Sequence, residues 1–537
     1  MKLKTFNLMT ISKLLPAMMV AATLLLTATA HAATPGITGA ASNPVFDLVA
    51  QPNYISQPDG QMIYSWGYGC NTVPAGFNPP ASAMPGANCP TMQVPGPTLI
   101  VTEGDTVTVK LTNGLPAAAG NTSILFPGFQ VTATGGATGL LTTEASQALP
   151  VTYTFVASTP GTRSYYSGTQ GDLQVEMGLY GSIIVLPNST AAPVCPHHNG
   201  SAAGVAETDF RLSPTGAAFH LAESCYDREY LFQLSEIDPR IHQQAIDQLA
   251  AITACATAAV AGVSCPTLDV ATEPYHPTYF MINGRSMPDD MDTNYAQEYP
   301  HQPYNGDPHM HPGELVLLRV VGQGRWQHPF HEHGNHVRIL ARDGNLILSQ
   351  TDPTKLAGPL LFTTTTTPGL AMDGIFFWTG KGLNWDVLGH GFAGDTTPCS
   401  PDPNGYYTNL SPSPAPDTAP NYFEWCADHN RSLESAPLGL VASGGPVTLP
   451  NANIVANGAW YGGSPYLGPD ATIRSTGIDA TTPPSGTIAN SPGTEAGYAF
   501  MWHSHNEREI TTSNIFPGGM LMMMLVDPRV FQIDESK

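Results

Sequence analysis

The stretch Thr106-Val107-Thr108-Val109-Lys110-Leu111 alternates polar and apolar residues, the pattern of a half-buried strand, and ends at the turn pair Asn113-Gly114. Gly181-Ser182-Ile183-Ile184-Val185-Leu186 is instead a continuous apolar run, which predicts a buried strand closing the same unit. Residues 35–190 read as an N-terminal β domain, and residues 191–227, with Cys195 and Cys225, as a linker. A second β domain, 228–530, opens at Arg228-Glu229-Tyr230-Leu231-Phe232. It resumes at Glu314 to Val321 and at His336 to Arg342, and closes with Met520 to Val526. Within it, Ile241, Ala245, Leu249 and Ile252 fall at helical spacing and predict a helix near Pro239 to Val260. From Gly389 to Gly497 the chain is rich in Pro, Gly, Ser, Asn and Thr without a long periodic segment, so 389–497 reads as a loop-rich insertion. Fifty-three glycines, fifty prolines and a charged fraction of 12% suit an all-β protein with many turns.

The first residues change the expected location. Lys2, Lys4 and Lys13 precede the apolar run Leu14 to Leu26 and the small-residue site Ala30-His31-Ala32, which reads as a signal peptide over 1–32. The run is shorter than the roughly 20 residues that cross a bilayer, and no later stretch is long and apolar enough. The expected product is secreted or periplasmic, with no membrane span. A formal charge of -22 and no basic cluster argue against nucleic acid or anionic lipid as a partner. Eight cysteines in an exported chain suggest disulfides. Short separations favour Cys70–Cys89, Cys195–Cys225, Cys255–Cys265 and Cys399–Cys426.

Two histidine clusters carry the chemistry: His328-Pro329-Phe330-His331-Glu332-His333-Gly334-Asn335-His336 and Trp502-His503-Ser504-His505. On an extended strand, the imidazoles of an H-x-H pair point the same way, and imidazole suits copper, zinc and iron. With these motifs the chain resembles the multicopper oxidases, which are built from cupredoxin-type Greek-key barrels. Val94-Pro95-Gly96-Pro97-Thr98-Leu99 followed by Glu103-Gly104-Asp105 is similar to that family's opening strands. Gly178-Leu179-Tyr180-Gly181-Ser182-Ile183-Ile184-Val185 resembles its domain-closing strand. His328 to Gly334 resembles its third copper motif, and Trp502 to His505, with Gly519-Met520 beyond, its fourth. The resemblance covers most of the chain outside the insertion and the leader. It implies two cupredoxin-like Greek-key β-barrel domains, the second carrying the helical segment and the insertion.

The departures are equally specific. Where the family places its first H-x-H, this chain has Leu125 and Pro127 in Thr122-Ser123-Ile124-Leu125-Phe126-Pro127-Gly128, and its second motif appears as Tyr165-Tyr166-Ser167-Gly168. No histidine occurs between His31 and His197, so the first domain supplies no imidazole and the usual four coppers are not expected. At the blue type 1 position, His328 matches the first histidine, but Ser504 replaces the thiolate and Glu509 stands where the second histidine falls. By resemblance His331, His333, His503 and His505 take ligand positions, His328 is a further candidate, and His336 could take over from the family histidine that Asn335 replaces. The resemblance thus implies copper, in fewer ions than usual, with Glu332, Glu507 and Glu509 orienting imidazole N–H groups.

Each reading has a plainer counterpart. The four clustered imidazoles could be inherited scaffold residues bonded to each other and to backbone, and His328 a packed residue beside Pro329. His309-Met310-His311 and His197-His198 read as solvated loops, with an extra copper-loading site as the alternative for the former. Met520-Leu521-Met522-Met523-Met524-Leu525 reads as a buried strand rather than a Cu(I) site, and Asp373 and Asp386 as turn or surface residues. Three functions follow: an oxidoreductase acting on small phenols or metal ions, a non-catalytic copper-holding protein, or a metal-free scaffold. A homotrimer is one arrangement the resemblance allows.

Overall fold

The alternation in Thr106–Asn113 becomes a strand with Val107, Val109 and Leu111 buried and Thr108 and Lys110 half-buried. The computed structural model describes residues 34–380 (apart from 41, 194, 196–208, 214–215 and 259–263), 463–466, 497–527 and 533–536. The leader, His197-His198, Asp386, Cys399–Cys426 and nearly all of the insertion lie outside the described residues.

Residues 36–186 form two five-stranded sheets. One runs Gly161–Tyr166, Tyr180–Leu186, Leu99–Thr102, Gly36–Thr38, Gly76–Asn78. The other runs Met62–Cys70, Val45–Ser56, Thr106–Asn113, Val151–Val156, Thr132–Gly135. Val45–Ser56 pairs in parallel with Thr106–Asn113, and Leu99–Thr102 with Tyr180–Leu186. Parallel neighbours far apart in sequence mark Greek-key crossings. Between the sheets lie Leu48, Trp66, Tyr68, Leu99, Val109, Leu111, Tyr153 and Ile183. Each such side chain contributes roughly 1.5–3 kcal/mol through burial.

The second domain repeats the plan with a seven-stranded sheet containing Arg228–Ile237, Leu315–Gly322 and Ala371–Phe377. The facing six-stranded sheet orders His309–Met310, Leu521–Val526, Gly497–Ser504, His328–Glu332 and Thr363–Thr366, with Gly463–Tyr466 also on Gly497–Ser504. Phe232, Phe330, Phe376, Trp378, Phe500, Trp502, Met520, Met522 and Met524 fill the space between them, so the methionine run is the buried strand expected of it. The architecture is all-β and cupredoxin-like.

The expected helix forms over Pro239–Ala258, but its apolar face crosses to the first domain. Ile241, Ala245 and Leu249 belong to that domain's core, and His242 reaches Tyr64 O at 2.6 Å and Glu176 O at 3.1 Å. Three neighbour disulfides form: Cys70–Cys89, Cys195–Cys225 and Cys255–Cys265. No described helix is long and apolar enough to cross a membrane.

Two surface expectations are corrected. Asp373 is fully buried in Ala371–Phe377, where it accepts bonds from Thr162 and Arg319, because that strand packs against the first domain. His309-Met310-His311 is not a solvated loop. His309–Met310 pairs in parallel with Leu521–Val526, which draws both histidines inside, and His309 Nδ1 lies 2.8 Å from Asp527 Oδ2.

Candidate metal centre

Antiparallel pairing sets Phe330 opposite Ser504, His331 opposite His503 and Glu332 opposite Trp502. Because side chains alternate across a sheet, His331, His333, His503 and His505 share one face, while Phe330 and Trp502 enter the core from the other. The ligating atoms of His331, His333 and His503 all lie within 4.8 Å of one another, the one group of this kind among the described residues. His333 Nε2 and His503 Nε2 are 3.2 Å apart. His505, exposed at the rim, brings its ring centroid to 4.6 Å from that of His331 and 5.7 Å from that of His503.

The remaining ring nitrogens are anchored. His331 Nδ1 lies 2.5 Å from Thr363 Oγ1 on the adjacent strand, and His503 Nδ1 donates to Ser504 O at 2.7 Å. Because a carbonyl can only accept, His503 carries its proton on Nδ1 and turns its Nε2 lone pair toward the cluster. Burial first, and then the neighbouring imidazoles of His333, His503 and His505, push His331 down to about 3. Burial also lowers His503. These are neutral donors, the form a metal takes.

Two imidazoles on one tetrahedral ion, at about 2.0–2.1 Å each, stand roughly 3.3 Å apart. The observed 3.2 Å fits that spacing, and imidazole donors suit zinc as well as copper. The residues present therefore fit one ion held by His331, His333 and His503, with His505 at the open side.

His328 is not brought into this group. It lies on the core face with Phe330, fully buried, with Nε2 2.8 Å from Glu236 Oε2 and Nδ1 2.8 Å from Glu509 Oε2. Burial opposes its charge, but the two carboxylates outweigh that and push the imidazole up to about 9. Ser504 Oγ donates to the same Glu509 oxygen at 2.5 Å. The three residues at the blue-copper positions thus close on one another through hydrogen bonds.

The expected carboxylate orienters fall elsewhere. Glu332 points into the core with neither oxygen hydrogen-bonded, and burial raises its carboxyl well above the usual range. Glu507 is exposed. Glu509 orients an imidazole, but it is that of His328. His336 sits apart, with its ring 5.0 Å from that of Phe362. Sequence reasoning missed Thr363 and Glu236. Thr363 is one of five consecutive threonines, and only strand register selects it. Glu236 alternates within Arg228–Ile237 without any motif around it.

Two family models described as multicopper oxidase match this chain in order, over residues 88–190 in the first domain and 271–369 in the second. No curated protein sequence matches it. Among solved structures, the chain is similar to a blue copper oxidase from Nitrosomonas europaea at 15% identity, covering 90% of this chain and 85% of the other, with a TM-score of 0.41. It is also similar to a copper nitrite reductase from Nitrosomonas europaea at 17% identity, covering 62% and 83%, with a TM-score of 0.34. A laccase from Botrytis aclada aligns at 18% identity over 63% of this chain and 46% of its own, with a TM-score of 0.34. One multicopper oxidase family model on each of the two β domains, with paired histidine motifs on adjacent strands, supports membership of the multicopper oxidase family.

Proposed function

We propose that this chain is an exported copper protein with a single metal centre in its second domain, which takes electrons one at a time from a small phenol or a reduced metal ion. The convergence of His331, His333 and His503, with two Nε2 atoms 3.2 Å apart, carries this reading. Bound copper would supply a one-electron acceptor, Cu(II) becoming Cu(I) as the substrate is oxidised, with dioxygen as the co-substrate that would take the electron from Cu(I). The protein's part is to present neutral imidazoles: Thr363 and Ser504 O hold the far ring nitrogens, and burial keeps protons off His331. His505, at the exposed edge, marks where a small molecule could approach. Export is supported by the leader-like first 32 residues and agrees with the three disulfides.

A second reading, copper held for storage or delivery without turnover, draws on Ser504 and on a first domain without histidine. Full reduction of oxygen needs four electrons, and the described residues offer one metal group. Titration with Cu(II) followed by EPR tests the centre. One copper per chain is expected, and His331→Ala or His503→Ala should weaken uptake by at least roughly 100-fold, beyond the loss typical of residues that only orient ligands. Wild-type protein that takes up no copper sinks the reading. Oxygen uptake with phenols and reduced metal ions then separates oxidase from store.

A further inference from the structure

His242 is buried where the helix Pro239–Ala258 meets the first domain, and both of its ring nitrogens face backbone carbonyls of that domain. Nδ1 lies 2.6 Å from Tyr64 O and Nε2 lies 3.1 Å from Glu176 O. A carbonyl oxygen only accepts, so filling both bonds takes a proton on each nitrogen. Ser65 Oγ also comes within 3.4 Å of Nδ1, but its own proton goes to Ile63 O at 3.3 Å. The charge this creates has a counter-ion, since Glu176 Oε1 stands 3.6 Å from Nε2. The same buried carboxylate accepts from the backbone N–H of Asp238, the residue before the helix, at 2.7 Å and from Tyr275 OH at 2.6 Å. Tyr275 reaches on to Glu236 Oε1 at 3.1 Å, in the strand Arg228–Ile237. Glu176 is therefore a first-domain anion held by donors from the second domain. Burial pushes its carboxyl up, and His242, Tyr275 and Asp238 work against that rise.

We infer that His242 and Glu176 form a pH-sensitive latch between the two β domains, closed while His242 carries both protons and released as it loses one. Deprotonation leaves a bare lone pair against Tyr64 O or Glu176 O, and a buried polar group facing the wrong partner costs more than the lost bond was worth. It also leaves the Glu176 carboxylate buried without its cation. The direction follows: the tie is tight on the acid side of the imidazole's titration and weakens as pH rises through it. Glu176, Asp238, Tyr275 and Glu236 are the ionisable groups around the pair, and Arg240 neutralises Asp238 from the helix surface. The apolar contacts of Ile241, Ala245 and Leu249 carry no such dependence. Release is thus expected in the first turn of the helix and at Asp238, with the body of the helix staying packed. The latch works whether or not copper is bound.

The test uses full-length wild type, His242→Gln and Glu176→Gln between about pH 5.5 and 8.5, the span over which histidines commonly titrate. Long-range proton–nitrogen correlation on 15N-labelled protein reports how many ring nitrogens of His242 are protonated. Amide hydrogen exchange, corrected for the intrinsic pH dependence, reports opening of the helix start. In wild type, His242 should carry two protons at the acid end. As it loses one, protection at residues 240–243 should fall roughly 10-fold or more, while the strand Thr106–Asn113 keeps its protection. His242→Gln cannot gain the charge, so its helix start should be weakly protected at every pH. Glu176→Gln keeps the shape but removes the counter-ion, which should move the loss of protection to lower pH. A purely structural contact would show the weakening in the variants without any pH dependence in wild type. A single protonated nitrogen on His242 at pH 5.5, or wild-type protection that does not change as His242 deprotonates, overturns the inference. Should either variant fail to fold, these two wild-type measurements decide it alone.

Discussion

An imidazole that meets a carboxylate at each ring nitrogen donates through both when it carries two protons, and at His328 both distances are 2.8 Å with no exposure. Breaking such a buried arrangement from one side strands the opposite charge, which is far worse than losing a surface pair. The groups that set this proton are Glu236 and Glu509, with Tyr275, Glu176 and Ser504 in the next layer. The pH dependence follows from its direction. The folded-state value lies near 9, above the ordinary 6.5, so the contribution is complete below about pH 6.5 and is lost as pH rises through about 9. At about 1.4 kcal/mol per pH unit, the advantage of wild type over His328→Gln in urea unfolding should shrink on the order of 3 kcal/mol between about pH 6 and 9.5. Taking the difference removes His309, which burial opposes but Asp307 and Asp527 raise well above its usual value in both proteins. A difference that stays constant with pH would show that His328 is neutral in the folded protein.

Strand parity explains why five candidate histidines part into two sites. Residues 331, 333, 503 and 505 share one face of a paired strand, whereas 328, 330, 332, 502 and 504 share the other. The spacing in His328-Pro329-Phe330-His331 already contained this separation, since three steps along a strand reverse the side. What the spacing could not contain was Glu236, a partner 92 residues away on the facing sheet. The helix shows the same division. Its period was legible in Ile241, Ala245 and Leu249, but an apolar stripe declares only that it will be buried, not against what. Here it closes over the first domain's core, on the strand Met62–Cys70. Ile241→Ala should therefore destabilise the first domain by roughly 2–5 kcal/mol, the range for truncating a fully buried aliphatic side chain. Urea unfolding followed by Trp66 fluorescence would read this, and an effect confined to the second domain's transition would contradict the packing. Copper uptake should be unchanged.

The two β domains are joined by apolar and ionic contacts together. Ile100, Ile184 and Leu186 pack with Leu231, Val321 and Ala371. Beside them a buried network crosses the boundary, with Thr162 Oγ1 donating to Asp373 at 2.6 Å and Arg319 Nη1 donating to the same carboxylate at 2.9 Å. Arg319 also pairs with Glu229, so one guanidinium is shared between two fully buried carboxylates. Asp373 reads as a turn or surface residue in sequence; its neighbours across the domain boundary are what make it internal. Replacing such a network with well-packed apolar groups can be neutral, but removing one member leaves its partners buried and unpaired. Asp373→Ala strips Thr162 of its acceptor and Arg319 of one of its two anions, so a loss of roughly 3–5 kcal/mol is expected. The loss should also appear as a separation of the two domains' unfolding, because the network spans the boundary rather than lying within one core. Calorimetry can distinguish the outcomes: one cooperative transition in wild type and two in the variant mean that the ionic network couples the domains. A single transition that is barely shifted would leave the coupling to the apolar cluster of Ile100, Ile184, Leu231 and Val321.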